Sequence, residues 1–339
     1  MSAYSPAPTA NMVQLSCIIA FRNENKNITK LISGLQQQTD KEHEIILVDD
    51  GSSDGSYELA RNLTADLDRF VILKNKGVGK KAALETGVGE AQSDYVVFTD
   101  ADCIHPPNWL RSISRFLGEY KVDLLVGAVV LIRPESKFEL FQSIDFLSLV
   151  TSGAGAIGSE RAIMCNGANL AVKKSVWLNA IPQLQNGYAS GDDIFLLQFC
   201  VANQKEIRFL KNKDSIVETF PQKKMKDFLK QRVRWASKSK GYTDFFTLFV
   251  AWLVFLTNLM LAAIPIIFII DSYIGLWTIT WGIIKMMFDY VLINKGAKFF
   301  NVPIKFKNYI WIACVYPLYI VISVYNAAFS HQEWKGRAI

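Results

Sequence analysis

The chain has 339 residues, half of them hydrophobic, and a formal net charge of +6. This length accommodates one large domain and a further part. The five cysteines are odd in number and share no C-x-x-C spacing, which argues against a disulfide framework or a cysteine zinc site and favours a reducing compartment. Most of the aromatic and aliphatic surplus lies in residues 245–330, which implies that this part of the chain and the rest are in different solvents.

Positive charge is concentrated in residues 204–241, which hold twelve Lys or Arg against four Asp or Glu. A basic segment directly before a hydrophobic one favours binding to an anionic membrane surface. Nucleic acid is the competing partner, but no helix-turn-helix, zinc-finger or RNA-binding pattern accompanies the segment, so we expect none.

An alternation of strands and helices follows a polar stretch, residues 1–12, that is interpreted as a flexible tail without a signal peptide. Helical patterns separate most of the apolar runs, as in β-α-β units. We therefore predict an α/β domain over residues 13–240, with a Rossmann-like, mostly parallel sheet. The predicted strands lie at 13–21, 44–48, 70–73, 95–98 and 124–130.

Two of the predicted strands end in paired carboxylates, Asp49-Asp50 and Asp100-x-Asp102. Open α/β sheets bind ligands outside the carboxyl ends of their strands. A divalent cation that carries a diphosphate suits such a site, because Mg²⁺ takes carboxylate and phosphate oxygens together. The alternative is that these aspartates only cap turns and helices, but two such strand ends favour a ligand site.

The pattern loosens after residue 130. An apolar helical stretch begins near residue 138, and the Gly-rich run 152–158 is predicted to be a mobile loop. A strand-like run with a glycine turn follows at 164–172. Asp192 and Asp193 then begin a helix, where acidic residues favour the N-terminal dipole.

Three hydrophobic segments, 245–270, 274–293 and 309–329, have the length of membrane-spanning helices. They predict a membrane domain over residues 241–330, followed by a tail at 331–339. A buried helical hairpin is the alternative, but the first segment is too long and too apolar for one. Lysines before the first segment and between the last two place the N-terminal domain in the cytoplasm and the C-terminus on the opposite side.

These features together suit one reaction. A metal-bound nucleotide diphosphate, a carboxylate base and a cationic clamp would transfer a group from an activated donor to a hydroxyl. The chain has only three histidines, so the base is expected to be a carboxylate. A nucleotidyltransferase is a rival, but its Gly-rich basic loop after the first strand is absent.

Six motifs in this order resemble the inverting family 2 glycosyltransferases, in particular the membrane-bound branch with chitin, hyaluronan and cellulose synthases and ceramide glucosyltransferase. The resemblance covers roughly residues 14–240 and implies a GT-A fold, a nucleotide-sugar donor and Mg²⁺ or Mn²⁺. The motifs are V-D-D-G-S-S-D-G-S (48–56), G-K-K-A-A-L (79–84), T-D-A-D (99–102), C-N-G-A-N-L-A (165–171), G-D-D-x-x-L (191–196) and Q-R-V-R-W (231–235).

The resemblance also assigns roles. In the D-x-D motif Asp102 would hold the metal together with Asp100, which would also contact the sugar donor. Asp193 would be the base, with Asp192 as a competing carboxylate because the family more often has Glu there. For Arg232, which the resemblance does not place in the signature, a surface charge is the structural alternative. The other implied contacts are Arg22, Glu24, Asp49 and Asp50 to the nucleoside, Lys81 or Lys80 to the diphosphate, Asn166 and Asn169 near the sugar, and Gln231, Arg234 and Trp235 at the acceptor end.

The chain has fewer hydrophobic segments than the polymer-secreting synthases, which surround a channel with more. We therefore expect a non-processive enzyme that adds one sugar to a lipid or lipid-linked acceptor at the cytosolic leaflet. A processive polysaccharide synthase and a catalytically degenerate membrane scaffold are the alternatives. The family commonly uses a UDP-sugar, relatives use GDP-mannose, and an oligomer is compatible with the sequence.

Overall fold

The computed structural model describes residues 4, 11–184, 191–329, 333–334 and 337–338. The two predicted tails, 1–12 and 331–339, lie mostly outside the described residues. The chain divides into two compact units: Met1–Val130 with Gly153–Phe220, and Leu131–Ser152 with Pro221–Ile339. This division differs from the predicted boundary at residue 240, because it groups two earlier segments with the C-terminal helices.

The first unit is built on a seven-stranded sheet, which confirms the predicted mostly parallel α/β fold. The strand order is β3-β2-β1-β4-β7-β5-β8, and β7 alone runs antiparallel to its neighbours. β6 and β9 form a separate pair. The strands are β1 (Leu15–Phe21), β2 (Glu44–Asp49), β3 (Phe70–Lys74), β4 (Tyr95–Phe98), β5 (Leu124–Gly127), β6 (Val129–Leu131), β7 (Leu170–Lys173), β8 (Ile207–Leu210) and β9 (Val217–Thr219).

Helices accompany these strands, and their apolar residues recur at helical spacing. In α1, for example, the four buried residues are Ile28, Leu31, Ile32 and Leu35. The helices up to residue 202 are α1 (Ile28–Gln36), α2 (Ser56–Thr64), α3 (Lys80–Glu90), α4 (Trp109–Glu119), α5 (Lys137–Gly158), α6 (Lys174–Leu184) and α7 (Asp192–Ala202).

The order of the central strands determines where a ligand can sit. β1 lies between β2 and β4, so the chain reverses its direction of sheet growth at β1. Cys17 of β1 is in register with Ile45 on one side and Val97 on the other. Because these three strands are parallel, their carboxyl ends meet at one edge and form the crevice in which α/β proteins bind ligands.

The second unit is helical and holds most of α5, whose last residues belong to the first unit. Within the part of the chain that the structure describes, four helices are long and apolar enough to cross a membrane: α5, α9 (Phe245–Ala262), α11 (Ser272–Phe300) and α12 (Phe306–Phe329). The described residues near the C-terminus, Glu333–Trp334 and Arg337–Ala338, pair as a short antiparallel ribbon. The remaining helices are α8 (Met225–Ser237), α9 (Phe245–Ala262), α10 (Ile264–Ile270), α11 (Ser272–Phe300) and α12 (Phe306–Phe329).

Two stretches differ from the sequence prediction. The segment 245–270 contains two helices, because Pro265 in the first turn of α10 has no N–H with which to continue α9. The Gly-rich run 152–158 was predicted to be a loop, and this was wrong, since α5 continues to Gly158. A side chain at Gly153 would approach the carbonyl oxygen of Met164 to 3.4 Å, so a small residue suits this tight contact.

Candidate active site

Asp50 lies at the carboxyl end of β2 and is only 3 % exposed. Its Oδ1 accepts hydrogen bonds from Asn75 Nδ2 at 2.7 Å and from the Gly79 N–H at 2.8 Å. Its Oδ2 lies 3.7 Å from Arg22 Nη1, at the end of β1. These contacts tie the ends of β1 and β2 to the start of α3, so Arg22 and Asp50 lie together.

Asp49 and Glu24 serve local turns. The Ser52 N–H donates to both carboxylate oxygens of Asp49 at 3.2 Å. The Glu24 N–H donates to Ser56 Oγ at 2.8 Å, and its side chain accepts from Asn27 Nδ2 at 2.7 Å. These bonds give Asp49 and Glu24 a role in holding the loops around Asp50.

Lys80 is the first residue of α3 and points to the carboxylates. Its Nζ lies 2.7 Å from Asp100 Oδ1 at the end of β4. Burial lowers the pKa of Lys80, but the negative charges of Asp100, Asp192 and Asp193 outweigh burial, and its pKa is raised. The ammonium group of Lys80 thus pairs with Asp100 and interacts electrostatically with Asp192 and Asp193.

Lys81 has different partners. Its Nζ donates to the carbonyl oxygen of Leu184 at 2.7 Å and lies 5.2 Å from the centre of the Phe195 ring. The sequence left open which of the two lysines approaches the diphosphate, and this stays a prediction; Lys80 is the one that pairs with Asp100 at 2.7 Å in the D-x-D motif.

Asp100 and Asp102 follow β4 in a loop that the Ile104–Glu218 bridge ties to β9. The Asp100 side chain is 37 % exposed, and Asp102 is exposed. Among the residues that the structure describes, no group of three or more His, Cys, Asp or Glu is assembled for a metal. Two carboxylates nevertheless fit Mg²⁺ or Mn²⁺, because Mg²⁺ commonly binds one or two carboxylates and completes its shell with water and phosphate oxygens.

Asp192 and Asp193 occupy the first turn of α7, after Gly191 in a left-handed conformation with φ +105°. The Gly167 N–H donates to Asp193 Oδ2 at 3.2 Å. A side chain at Gly167 would lie 3.4 Å from Asp192 Oδ2 and from Asp193 Cβ, so a glycine leaves room beside both carboxylates. Asn166 accepts from the Ala168 N–H at 2.9 Å and shapes the same turn.

Asn169 is buried and its amide is committed to the protein. Nδ2 donates to the carbonyl oxygens of Ala128 at 2.8 Å and Ser215 at 2.9 Å, and Oδ1 accepts from Trp109 Nε1 at 3.0 Å. These bonds use both amide hydrogens, so the contacts support a structural role for Asn169 and not the expected contact with the sugar.

The Q-R-V-R-W motif lies on α8 of the second unit, and Arg232 within it is buried. Its Nη2 lies 2.7 Å from Asp145 Oδ2 of α5, with side chains 6 % and 2 % exposed. The guanidinium carbon lies 4.9 Å from the Phe228 ring centre and 4.5 Å from that of Trp235. The alternative of a surface charge at Arg232 was wrong.

The other motif residues, Gln231 and Arg234, are partly exposed on the same helix. The ring of Trp235 also approaches that of Phe146, with centroids 5.9 Å apart. Sequence reasoning missed Asp145 and the burial of Arg232. A signal existed for the latter, because positions 228, 232 and 235 have i, i+4, i+7 spacing on one helix face.

Comparison with known proteins agrees with this fold. Residues 16–167 match the family described as Glycosyl transferase family 2, and residues 95–328 match Glycosyl transferase family group 2. A mannosyltransferase from Pyrobaculum calidifontis, solved with GDP-Man and Mn²⁺, shares the fold with a TM-score of 0.57, at 16 % identity and over 96 % of this chain and 89 % of that one.

Curated relatives are similar over shorter stretches. Glycosyltransferase AglE of Haloferax volcanii is 33 % identical over 36 % of this chain and 41 % of its own length. A cholesterol galactosyltransferase of Borreliella burgdorferi is 38 % identical over 26 % of this chain and 25 % of its own length. An undecaprenyl-phosphate 4-deoxy-4-formamido-L-arabinose transferase of Pectobacterium carotovorum is 32 % identical over 42 % of this chain and 44 % of its own length.

The fold and the family matches define the class of protein as a glycosyltransferase with a GT-A type catalytic unit. The second family match covers more than half of the chain, and the chain therefore belongs to the family 2 group of glycosyltransferases. The similarity spans less than half the length of the curated relatives described above.

Proposed function

We propose that this protein transfers a sugar from a nucleotide diphosphate sugar to a lipid or lipid-linked acceptor at the cytosolic face of a membrane, with inversion and one sugar at a time. The observation that carries the proposal is the convergence of Lys80 with Asp100, Asp192 and Asp193 beside the parallel strand ends. The apolar helices and the acceptors named for two relatives, cholesterol and undecaprenyl phosphate, support the lipid acceptor.

The nucleoside of the sugar donor would bind beside Arg22 and Asp50, where the ends of β1 and β2 meet the start of α3. Lys80 would then bond to the diphosphate with its ammonium group. A UDP-sugar is the first candidate because the family commonly uses one. GDP-mannose is the second, since the Pyrobaculum enzyme was solved with it.

Asp100 and Asp102 would hold Mg²⁺ or Mn²⁺, which would supply positive charge against the leaving diphosphate. Lys80 would add a second positive charge on the same leaving group. Both act where negative charge develops in the transition state, and such stabilisation is usually the largest catalytic term.

Asp193 would act on the acceptor. Its carboxylate would take the proton from an acceptor hydroxyl as that oxygen bonds to the anomeric carbon and the diphosphate leaves with the electron pair. A phosphate acceptor is already ionised near neutral pH and would need no base. A hydroxyl acceptor would therefore need Asp193 as a base, whereas a phosphate acceptor would not.

The membrane arrangement is part of the proposal. The catalytic unit would be cytosolic, with the basic segment 204–241 close to anionic head groups and the C-terminus on the opposite side. The few spanning helices support transfer of a single sugar. The Q-R-V-R-W residues Gln231, Arg234 and Trp235 would line the acceptor end.

The test is turnover by detergent-purified protein with a panel of nucleotide sugars, with Mg²⁺, Mn²⁺ or chelator, and with extracted membrane lipid. We expect one donor to give a labelled lipid-soluble product that is lost with chelator. Asp102→Asn is the matched variant, because its side chain is exposed and the change should leave the fold intact. A water-soluble polymer would instead indicate a processive synthase, and no metal-dependent turnover with any donor would indicate a degenerate scaffold.

A further inference from the structure

A group of buried side chains connects the D-x-D motif with the segment that contacts Asp193. Its members are almost inaccessible to solvent; two lie in the loop after β4, one is the first residue of α4 and one directly precedes β7. They are Thr99, His105, Trp109 and Asn169, which are 1 %, 6 %, 0 % and 1 % exposed.

Thr99 forms the central contact. Its Oγ1 lies 2.8 Å from the carbonyl oxygen of Ala168 and 2.7 Å from His105 Nε2. A carbonyl only accepts, so the single hydroxyl proton goes to Ala168, and Nε2 of His105 must carry a hydrogen and donate to Thr99. The hydroxyl therefore joins the residue before Asp100 to the backbone of another segment.

His105 is held in turn by Trp109 and Asn169. The His105 and Trp109 rings lie against each other, with centroids 4.3 Å apart and planes tilted by 36°. Trp109 Nε1 donates to Asn169 Oδ1 at 3.0 Å, and Asn169 follows Ala168 directly. The contacts close a ring through Thr99, His105, Trp109, Asn169 and Ala168. Such a buried and satisfied polar network fixes the relative positions of its members.

The ring joins two parts of the proposed active site. Asp100 follows Thr99 directly at one side. At the other side Gly167 precedes Ala168, and its N–H donates to Asp193 Oδ2 at 3.2 Å. Three covalently consecutive residues, 167 to 169, thus hold Asp193, receive the Thr99 hydroxyl and anchor the indole of Trp109.

We propose that Thr99 and His105 are positioning residues that set the separation between the D-x-D carboxylates and Asp193. This inference rests on the proposed function. Neither residue touches the substrates in this arrangement. Their effect is on geometry, since a small misplacement of reacting groups lowers turnover steeply.

The test compares substitutions that keep the shape of a side chain but remove its hydrogen-bonding group with substitutions that keep that group. Thr99→Val keeps the shape and removes the hydroxyl, whereas Thr99→Ser keeps the hydroxyl. His105→Phe keeps a ring on Trp109 and removes the N–H, whereas His105→Gln carries an amide nitrogen near the place of Nε2. We expect the Val and Phe variants to lower kcat per nucleotide-binding site by roughly 10- to 100-fold with a smaller change in KM for the sugar donor, and the Ser and Gln variants to retain most activity.

The double variant, Thr99→Val with His105→Phe, should lose no more kcat than the more damaging of the two single variants, because both changes remove the same contact. Counting sites by nucleotide binding separates this result from loss of folded protein. An active parent with an unchanged kcat per site in both variants would overturn the inference alone. A parent that turns over no donor would overturn the proposed function and this inference with it.

Discussion

Lys80 Nζ lies 2.7 Å from Asp100 Oδ1, so the first cation of α3 is bonded to the first carboxylate of the D-x-D motif. The negative charges of Asp192 and Asp193 also raise the pKa of this ammonium group. Lys80 therefore offsets the negative charge of carboxylates that would attract a cation. In the proposed function, the diphosphate of the sugar donor would offer Lys80 new anionic partners.

This relationship predicts opposite effects of Lys80→Met. We expect roughly tenfold tighter binding of Mn²⁺ alone and roughly tenfold weaker binding of the nucleotide diphosphate, a modest size because solvent screens a partly exposed pair. Titration calorimetry with each ligand measures both. The control is Lys76→Met, which removes an exposed pair with Glu90 and should change neither. Unaltered Mn²⁺ affinity in Lys80→Met would contradict the prediction.

Replacing each of the two aspartates of α7 should have a different effect on turnover. Asp193→Asn should lower kcat with a hydroxyl acceptor by roughly 10²- to 10⁴-fold, the usual contribution of a general base, and leave nucleotide binding intact. Asp192→Asn in the same helical turn is the control, with the smaller loss expected. Steady-state kinetics of both variants measure this difference. A larger loss in Asp192→Asn than in Asp193→Asn would reverse the assignment of the base. With a lipid phosphate acceptor, Asp193→Asn should retain activity.

The buried pair of Asp145 and Arg232 should matter for stability. Asp145→Asn leaves the guanidinium without its counter-charge at a buried site, which costs about 3–5 kcal/mol. Thermal unfolding in detergent measures the change. Replacing both residues, Asp145→Leu with Arg232→Met, should recover much of the loss.

The matched control for this pair is Lys226→Met on the exposed face of α8, which should alter stability by less than about 0.5 kcal/mol. If Asp145→Asn were as stable as this control, the buried pair would have no role in holding α8 and α5 together.

His105 predicts a pH dependence of stability. Burial lowers its pKa from 6.5 to about 3. Between these values the unfolded chain binds one more proton than the folded chain, so folding stability increases with pH and is lost as the pH falls below 6.5. The slope reaches about 1.4 kcal/mol per pH unit. Thermal midpoints from pH 7 to pH 5 should fall less steeply in His105→Phe than in the parent. Parallel curves would contradict a neutral buried histidine.

Much of the first unit could be predicted from sequence because its signals are local. Apolar runs such as 95–98 and the helical spacing of Ile28, Leu31, Ile32 and Leu35 do not depend on distant residues. The strand ends with paired aspartates followed from the same patterns. The Gly-rich end of α5 was predicted wrongly, since glycine tolerates both loop and helix and the tight contact of Gly153 with Met164 is not local.

By itself, the sequence determined the α/β class, the apolar C-terminal helices and the set of acidic motifs, because periodicity, length and residue type are written along the chain. Only the tertiary structure decided that Lys80 meets Asp100, that Arg232 is buried on Asp145, and that Thr99 and Asn169 hydrogen-bond to distant segments. Each of these depends on a partner far along the chain, and hydrogen bonds and ion pairs act over a few ångströms of space, whatever the distance in sequence.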